Sequence, residues 1–191
     1  MRRMRRPSGF TVTELLVTLA IAGTLAGLAV PAFQGFVERN RSSAALNQLL
    51  GALQSARYAA VSLHTAVTVC PSADAATCGM RDSWHTGTLI FADRNRNGAR
   101  EPNEAVVRWL PGFDDRARVY WRSFRNRSYL QFTASGMTDW QNGNFLYCPP
   151  NRDPHDAREV ILNAQARPRK APDTDRDGIV EDANGDPVRC P

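Results

Sequence analysis

The sequence predicts an α+β chain, one long N-terminal helix followed by antiparallel sheet, and three observations predict it. Residues 15–36 contain no charged side chain. Between residues 46 and 63, leucines and alanines recur at intervals of three and four. From residue 65 onward, short β-branched segments alternate with turn formers, and a helix followed by a run of strands reads as α+β.

The uncharged stretch is 22 residues long. At about 1.5 Å per residue it extends roughly 33 Å, enough to cross a hydrocarbon core of ~30 Å. Arg2, Arg3, Arg5 and Arg6 precede it, so the positive-inside bias holds the N-terminus in the cytoplasm and sends the rest outward. Beyond the membrane segment, Leu46, Leu49, Leu50, Leu53, Ala56, Ala59, Ala60 and Leu63 share one helical face. Arg39, Arg41, Asn47, Gln48, Gln54 and Arg57 supply the wet side. The expected helix covers residues 10–63, with a membrane half at 10–36, an amphipathic half at 37–63 and a bend at Pro31.

Strands are expected at 65–70, 87–92, 105–110, 118–122, 129–133, 145–148 and 159–163, within a β-rich domain of residues 64–170. An acidic, glycine-containing tail follows at 171–191. Cys70, Cys78, Cys148 and Cys190 form an even set in an exported domain, where thiols persist as disulfides. Local spacing favours Cys70 with Cys78, which leaves Cys148 with Cys190 to tie down the tail. Zinc would need C-x-x-C spacing or a finger-spaced histidine, and neither is present.

Charge excludes little. The formal net charge is +5, but four of the 24 Lys+Arg precede the apolar run, leaving 20 against 19 acidic residues. Any nucleic-acid argument is therefore local. His64, His85 and His155 are scattered with no serine, cysteine or paired carboxylate in a recognisable arrangement, so no catalytic residue, cofactor or small-molecule substrate is expected. Asp93-x-Asn95-x-Asn97-Gly98 with Glu104 fits the spacing of a calcium loop, yet its flanks are strands, and the same residues make an ordinary Asx-rich hairpin. Asp173-x-Asp175-x-Asp177-Gly178 begins a second such run with Asn184 at the last position, and reads as a solvated tail. No metal is assigned.

Glu14 is the one carboxylate at the head of the apolar run, and burial in lipid requires a partner for it. Cleavage after Gly9 would make Phe10 a new amino terminus four residues away. The alternative is a solvated Glu14 at the membrane interface. The basic leader ending in Gly9, Phe10 as first mature residue, Glu14 fifth after the cut and Pro31 within the helix resemble the class III leader signature of type IV pilins. That resemblance implies a cleaved leader at 1–9, a prepilin peptidase that also N-methylates Phe10, and assembly through the N-terminal helix with Glu14 and Pro31 taking part. The rival is ordinary signal-peptide removal after Ala20-Ile21-Ala22.

Within the pilin class the chain is most similar, as far as residue 170, to the GspH/FimT-type minor pilins and pseudopilins. In these, two small sheets pack on the second half of the helix. The resemblance implies a non-enzymatic subunit of a type IV pilus or a type II secretion pseudopilus. It would be anchored in the bacterial inner membrane with its globular domain periplasmic, then join a fibre with sibling subunits. Ala166-Arg167-Pro168-Arg169-Lys170 resembles the Gly-Arg-x-Arg motif by which FimT-like minor pilins bind DNA, with Ala166 in place of the glycine. Arg167, Arg169 and Lys170 are thus the candidate DNA contacts. A second candidate is the run of Arg116, Arg118, Arg122, Arg125 and Arg127 interleaved with Tyr120, Trp121, Phe124 and Tyr129, although strand alternation would turn Val119 and Trp121 inward.

Overall fold

The structure, a computed structural model, describes residues 10–113 and 116–191, and within the helix it leaves the side chains of residues 30–32 undescribed. Among the described residues one helix, α1 (Val12–Leu63), precedes eight strands. They are β1 (Val67–Pro71), β2 (Gly87–Ala92), β3 (Val106–Pro111), β4 (Arg118–Ser123), β5 (Leu130–Phe132), β6 (Gly143–Cys148), β7 (Arg158–Leu162) and β8 (Pro168–Lys170). Seven of the eight lie within two residues of the expected segments. β8 was not expected and turns out to occupy the segment read as a basic loop.

The chain divides into two compact units, residues 1–39 and 40–191. In the first, the chain is helix from Val12 onward, and its described large apolar side chains between Val12 and Phe36 lie exposed. Thr18 and Thr24 turn their hydroxyls back onto the carbonyls of Leu15 and Ile21, each at 2.9 Å. Their polar atoms are thereby satisfied within the helix, as a lipid environment demands.

In the second unit two antiparallel four-stranded sheets form, ordered β3-β2-β1-β5 and β4-β6-β7-β8. Pleating explains why both can be buried on two faces. Val69 pairs with Ile90 on the face that joins the helix residues Leu46, Leu49, Leu53, Ala56 and Ala60 in one core. The neighbouring pair, Cys70 and Leu89, points the other way and packs with Phe91, Cys78 and Tyr129. In the second sheet Val119, Trp121, Phe145, Tyr147, Val160 and Leu162 join the helix core. Leu146, Cys148 and Ile161 instead meet Val180 and Val188 of the C-terminal tail.

Trp84, between β1 and β2, is fully buried and was not picked out from the sequence. Its ring meets Phe145 edge-on at 4.8 Å, and Phe145 stacks on Trp121 at 4.2 Å. Leu63, expected on the apolar face, is 53% exposed. The helix ends there: His64 takes a positive φ of 51°, and Thr65 N–H reaches back to the Ala60 carbonyl at 3.3 Å. This is the αL termination that closes many helices, and it turns Leu63 away from the core.

Disulfides join Cys70 to Cys78 and Cys148 to Cys190. In the smaller loop the N–H groups of Thr77 and Ala76, with the Thr77 and Ser72 hydroxyls, converge on Asp74 and hold its carboxyl far below the ordinary range.

Candidate nucleic-acid interface and assembly helix

The candidate DNA segment is an edge strand. β7 and β8 pair as Leu162↔Pro168, Ile161↔Arg169 and Val160↔Lys170. A proline lacks the N–H that an inner strand must donate, and charged side chains blunt an open edge, so Pro168 flanked by arginines suits this place and no other in the sheet. That composition is the signal that could have marked β8 as an edge strand.

The β7–β8 turn holds Arg167 in place. Ala166 N–H bonds to the Asn163 carbonyl at 3.0 Å, and Arg167 N–H to Asn163 Oδ1 at 2.9 Å. Ala166 takes φ 59°, a conformation glycine favours, so the loop keeps its left-handed residue without a glycine. Its compensation is packing: Ala166 is 0% exposed in the helix core. From the helix, Arg57 Nη1 donates to the Ala166 carbonyl at 3.4 Å, and Thr138 braces Ala164 from the other side through bonds of 3.3 and 3.0 Å.

Arg167 lines a groove of about 520 Å³ with Pro168 and the helix residues Gln54, Arg57, Tyr58 and Val61. Two guanidinium groups and a Tyr58 ring that is 75% exposed share this groove, with no carboxylate among its lining residues. Arg169 behaves differently. Strand alternation sets it, with its partner Ile161 and with Glu159, on the sheet face that carries the tail. Glu159 is 2% exposed there, and burial pushes its carboxyl up. An Asn144 side-chain hydrogen bond opposes this, Asp182 adds to it, and Arg122 and Arg169 pull it back down. The structure thus brings Arg167 together with Arg57 and Tyr58, and separates Arg169 from them. From the sequence Arg57 read only as one residue of the wet helix face, and Tyr58 was not singled out.

The other basic run follows the alternation expected of it. Val119 and Trp121 are buried, and Arg122 is exposed. Arg127 and Arg125 both face Asp139, at 3.3 and 3.7 Å, and Arg127 lies over the Tyr129 ring at 5.4 Å. Its charges are therefore partly spent within the chain.

The 93–104 run forms the β2–β3 hairpin. Asp93 is 0% exposed and its Oδ2 accepts from Thr68 Oγ1, Gln131 Nε2 and Gly98 N–H at 2.7, 2.8 and 3.0 Å. Glu104 takes the Arg94 and Glu101 N–H groups, one on each oxygen. Gly98 has φ 77°, and a Cβ there would run into the Tyr129 ring, so only glycine fits.

At the helix start, Thr11 and Glu14 cap reciprocally. Glu14 Oε2 accepts the Thr11 N–H and hydroxyl, both at 2.9 Å, while Thr11 Oγ1 receives the Glu14 N–H at 3.2 Å. This is a capping box, and it places Glu14 at the first turn whatever else it later meets. Gly9 and the Pro31 side chain lie outside the described residues.

Residues 45–166 match the family described as Type II transport protein GspH. The chain belongs to this family of type IV pilin-like proteins. Residues 4–30 match the prokaryotic N-terminal methylation motif. The fold is that of the GspH-type pilins: the crystal structure of type IV minor pilin FimU from Pseudomonas aeruginosa superposes with a TM-score of 0.56, at 24% identity, over 72% of this chain and 92% of that one. A second crystal form of FimU gives 0.53, at 24% identity, over 68% of this chain and 92% of that one. Fimbrial protein EcpC of Eikenella corrodens is 49% identical over 39 residues, which span 20% of this chain and about a quarter (26%) of that protein. The GspH family is structural, and the apolar helix with its methylation motif is that of a membrane-anchored pilin-type subunit.

Proposed function

We propose that this GspH-family subunit serves in a type IV pilus and binds DNA there without sequence preference during natural transformation. A prepilin peptidase cuts after Gly9 and methylates Phe10. The helix then anchors the subunit in the inner membrane, with residues 40–191 on the periplasmic side. In the fibre the helices of sibling subunits pack together, and the Glu14 carboxylate neutralises a terminal amine, replacing the Thr11 hydroxyl that caps it in the free chain. Pro31 adapts the helix to that packing. An intact mass beginning at N-methylated Phe10 checks the processing step; a start at Gly23 overturns it.

The observation that carries the DNA reading is the groove shared by Arg167, Arg57 and Tyr58. Charges beside an exposed ring combine phosphate contact with base stacking, the pairing that sequence-tolerant binding uses. The full chain in detergent should shift single-stranded and duplex DNA weakly, with a log–log salt slope of about −2 to −3 for three contacts. Useful grip would come from several subunits on one fibre. If Arg167→Gln with Arg169→Gln leaves mobility shift and transformation frequency unchanged while fibres assemble, the DNA reading fails.

A second reading, a structural pseudopilin of a type II secretion system, is favoured by the carboxylates near β8. Glu159 and Asp182 lie on the Arg169 face, and Asp173, Asp175 and Asp177 follow Lys170 closely in the chain. A neighbouring secretin and secretion-ATPase operon would support it, and loss of protein secretion without loss of transformation in a deletion strain would decide for it.

A further inference from the structure

We propose that the cavity between the C-terminal tail and the tail-bearing face of the second sheet binds a small zwitterion, a free aliphatic amino acid. The cavity forms because the tail turns back on itself there. Glu181 and Pro187 form a bridge, Asp182 N–H bonds to the Asp186 carbonyl at 2.8 Å, and Val188 N–H bonds to the Val180 carbonyl at 3.0 Å. Val180 and Val188 pack with Leu146 and Ile161 of the sheet, and the Cys148–Cys190 disulfide fastens the tail beyond Val188. About 470 Å³ is left open between turn and sheet, within the roughly 300–1,000 Å³ of ligand pockets.

The observation that points to a ligand is Glu159. It lines the cavity from β7 and is 2% exposed. Its Oε1 is buried and has no hydrogen-bond partner. A buried acceptor without a donor is expensive, and a folded chain rarely keeps one unless a water, an ion or a ligand meets it. Asn144 reaches this carboxyl by a hydrogen bond, whereas Arg122 and Arg169 act on it only as neighbouring charges.

The chemistry of the walls selects the ligand. An orphaned carboxylate oxygen calls for an N–H or O–H donor, and Asp182, its Oδ1 held by the Asn184 and Asp186 N–H groups, adds negative charge beside it. An ammonium group meets both demands. Arg122 and Arg189 make the opposite demand. Both are exposed, line the same cavity and form no side-chain hydrogen bond or ion pair among the described residues; a carboxylate there has two guanidinium groups to meet. Leu146, Pro187, Val188 and Pro191 leave the remaining wall apolar, which suits an aliphatic body. A bare metal ion would be opposed by the two guanidinium groups, and a phosphate by Glu159, Asp182 and Asp186.

Binding is coupled to a proton. Burial pushes the Glu159 carboxyl up; Asn144 of β6 opposes this, Asp182 of the tail adds to it, and Arg122 of β4 and Arg169 of β8 pull it down. An ammonium group pairs with the ionised form, so affinity rises as pH climbs from the ordinary 4.5 through the raised value.

The test uses the full chain in detergent with leucine as probe. Titration calorimetry at neutral pH should give one site per chain with a Kd of about 1 mM, as suits so small a ligand. Isoamylamine, which lacks the carboxylate, and 4-methylpentanoate, which lacks the ammonium, should each bind about tenfold or more weakly. Glu159→Gln, a neutral isostere that preserves packing, should weaken leucine about tenfold and abolish the rise of affinity with pH. Arg122→Gln should weaken leucine and leave isoamylamine unchanged. The proposal is overturned by the absence of heat at about 20 mM leucine, well above the expected Kd. It is equally overturned by either half-ligand binding as tightly as leucine, or by unchanged leucine affinity in Glu159→Gln.

Discussion

Ala166 holds a left-handed backbone in a buried position, and substituting it separates the two effects. For an L-residue the αL conformation costs about 1–2 kcal/mol. Ala166→Gly removes that cost, but it gives up a buried methyl worth about 0.8 kcal/mol and adds roughly 0.4–1 kcal/mol of unfolded-chain entropy. The sums nearly cancel, so Ala166→Gly should change stability by less than about 1 kcal/mol, under ~4 °C in Tm for a chain of this size. Ala166→Val has no such compensation. A β-branched residue at φ 59° is a genuine outlier, and two extra methyls beside the helix core add overpacking of about 1–3 kcal/mol. A loss of about 3 kcal/mol, or roughly 6–12 °C, is expected. Thermal unfolding of the full chain in detergent measures both. A glycine variant destabilised by more than about 2 kcal/mol, or a tolerated valine, would show that this turn is not held by packing against its backbone strain.

Asp93→Ala strands the Thr68 hydroxyl, the Gln131 amide and the Gly98 N–H; it should cost about 3–5 kcal/mol in denaturant unfolding, since each is a buried donor left without its acceptor. Cys148→Ala with Cys190→Ala opens a loop of 42 residues, worth roughly 4 kcal/mol on the chain-entropy model, and should expose the tail to protease while leaving residues 40–170 folded. Glu159 has its folded-state pKa raised by burial, so its protonated form favours folding: that stabilisation is full below the ordinary value of 4.5 and is lost as pH rises through the raised one. Glu159→Gln should therefore be more stable than the parent at neutral pH and no more stable at pH 4, as read by Tm against pH.

Periodicity made most of this fold legible. Leu46, Leu49, Leu53, Ala56 and Ala60 read as one helical face because burial on a helix repeats at 3.6 residues, and all are buried. The strands read because Val and Ile alternate with turn formers. The leader signature and the GspH resemblance were legible because position, charge and an apolar run coincide. What stayed hidden had no period. Trp84 lies in a loop, and its burial depends on Phe145 and Trp121, some 60 and 40 residues away in sequence. β8 is three residues long and two of the three are charged, so only its pairing to β7 makes it a strand.

The same limit applies to the basic segment, where Arg167, Arg169 and Lys170 read as one cluster and the fold divides them: the β7–β8 turn sets Arg167 beside Arg57, while alternation within β8 sets Arg169 on the face that carries the tail. Arg167 shares its groove with Arg57 and no carboxylate, so a phosphate there meets two undivided charges. Arg169 already interacts with Glu159 on the opposite face, and a phosphate must compete for it. Their contributions to DNA binding should therefore differ. Arg167→Gln should remove about one unit of log–log salt slope, the full value of one phosphate contact, and Arg57→Gln about the same. Arg169→Gln should remove clearly less, and Glu159→Gln should raise affinity in the parent but not in the Arg169→Gln variant, because the two act on one charge. Equal losses from Arg167→Gln and Arg169→Gln, or indifference to Glu159→Gln, would mean that the face assignments of the edge strand do not govern how the subunit meets DNA.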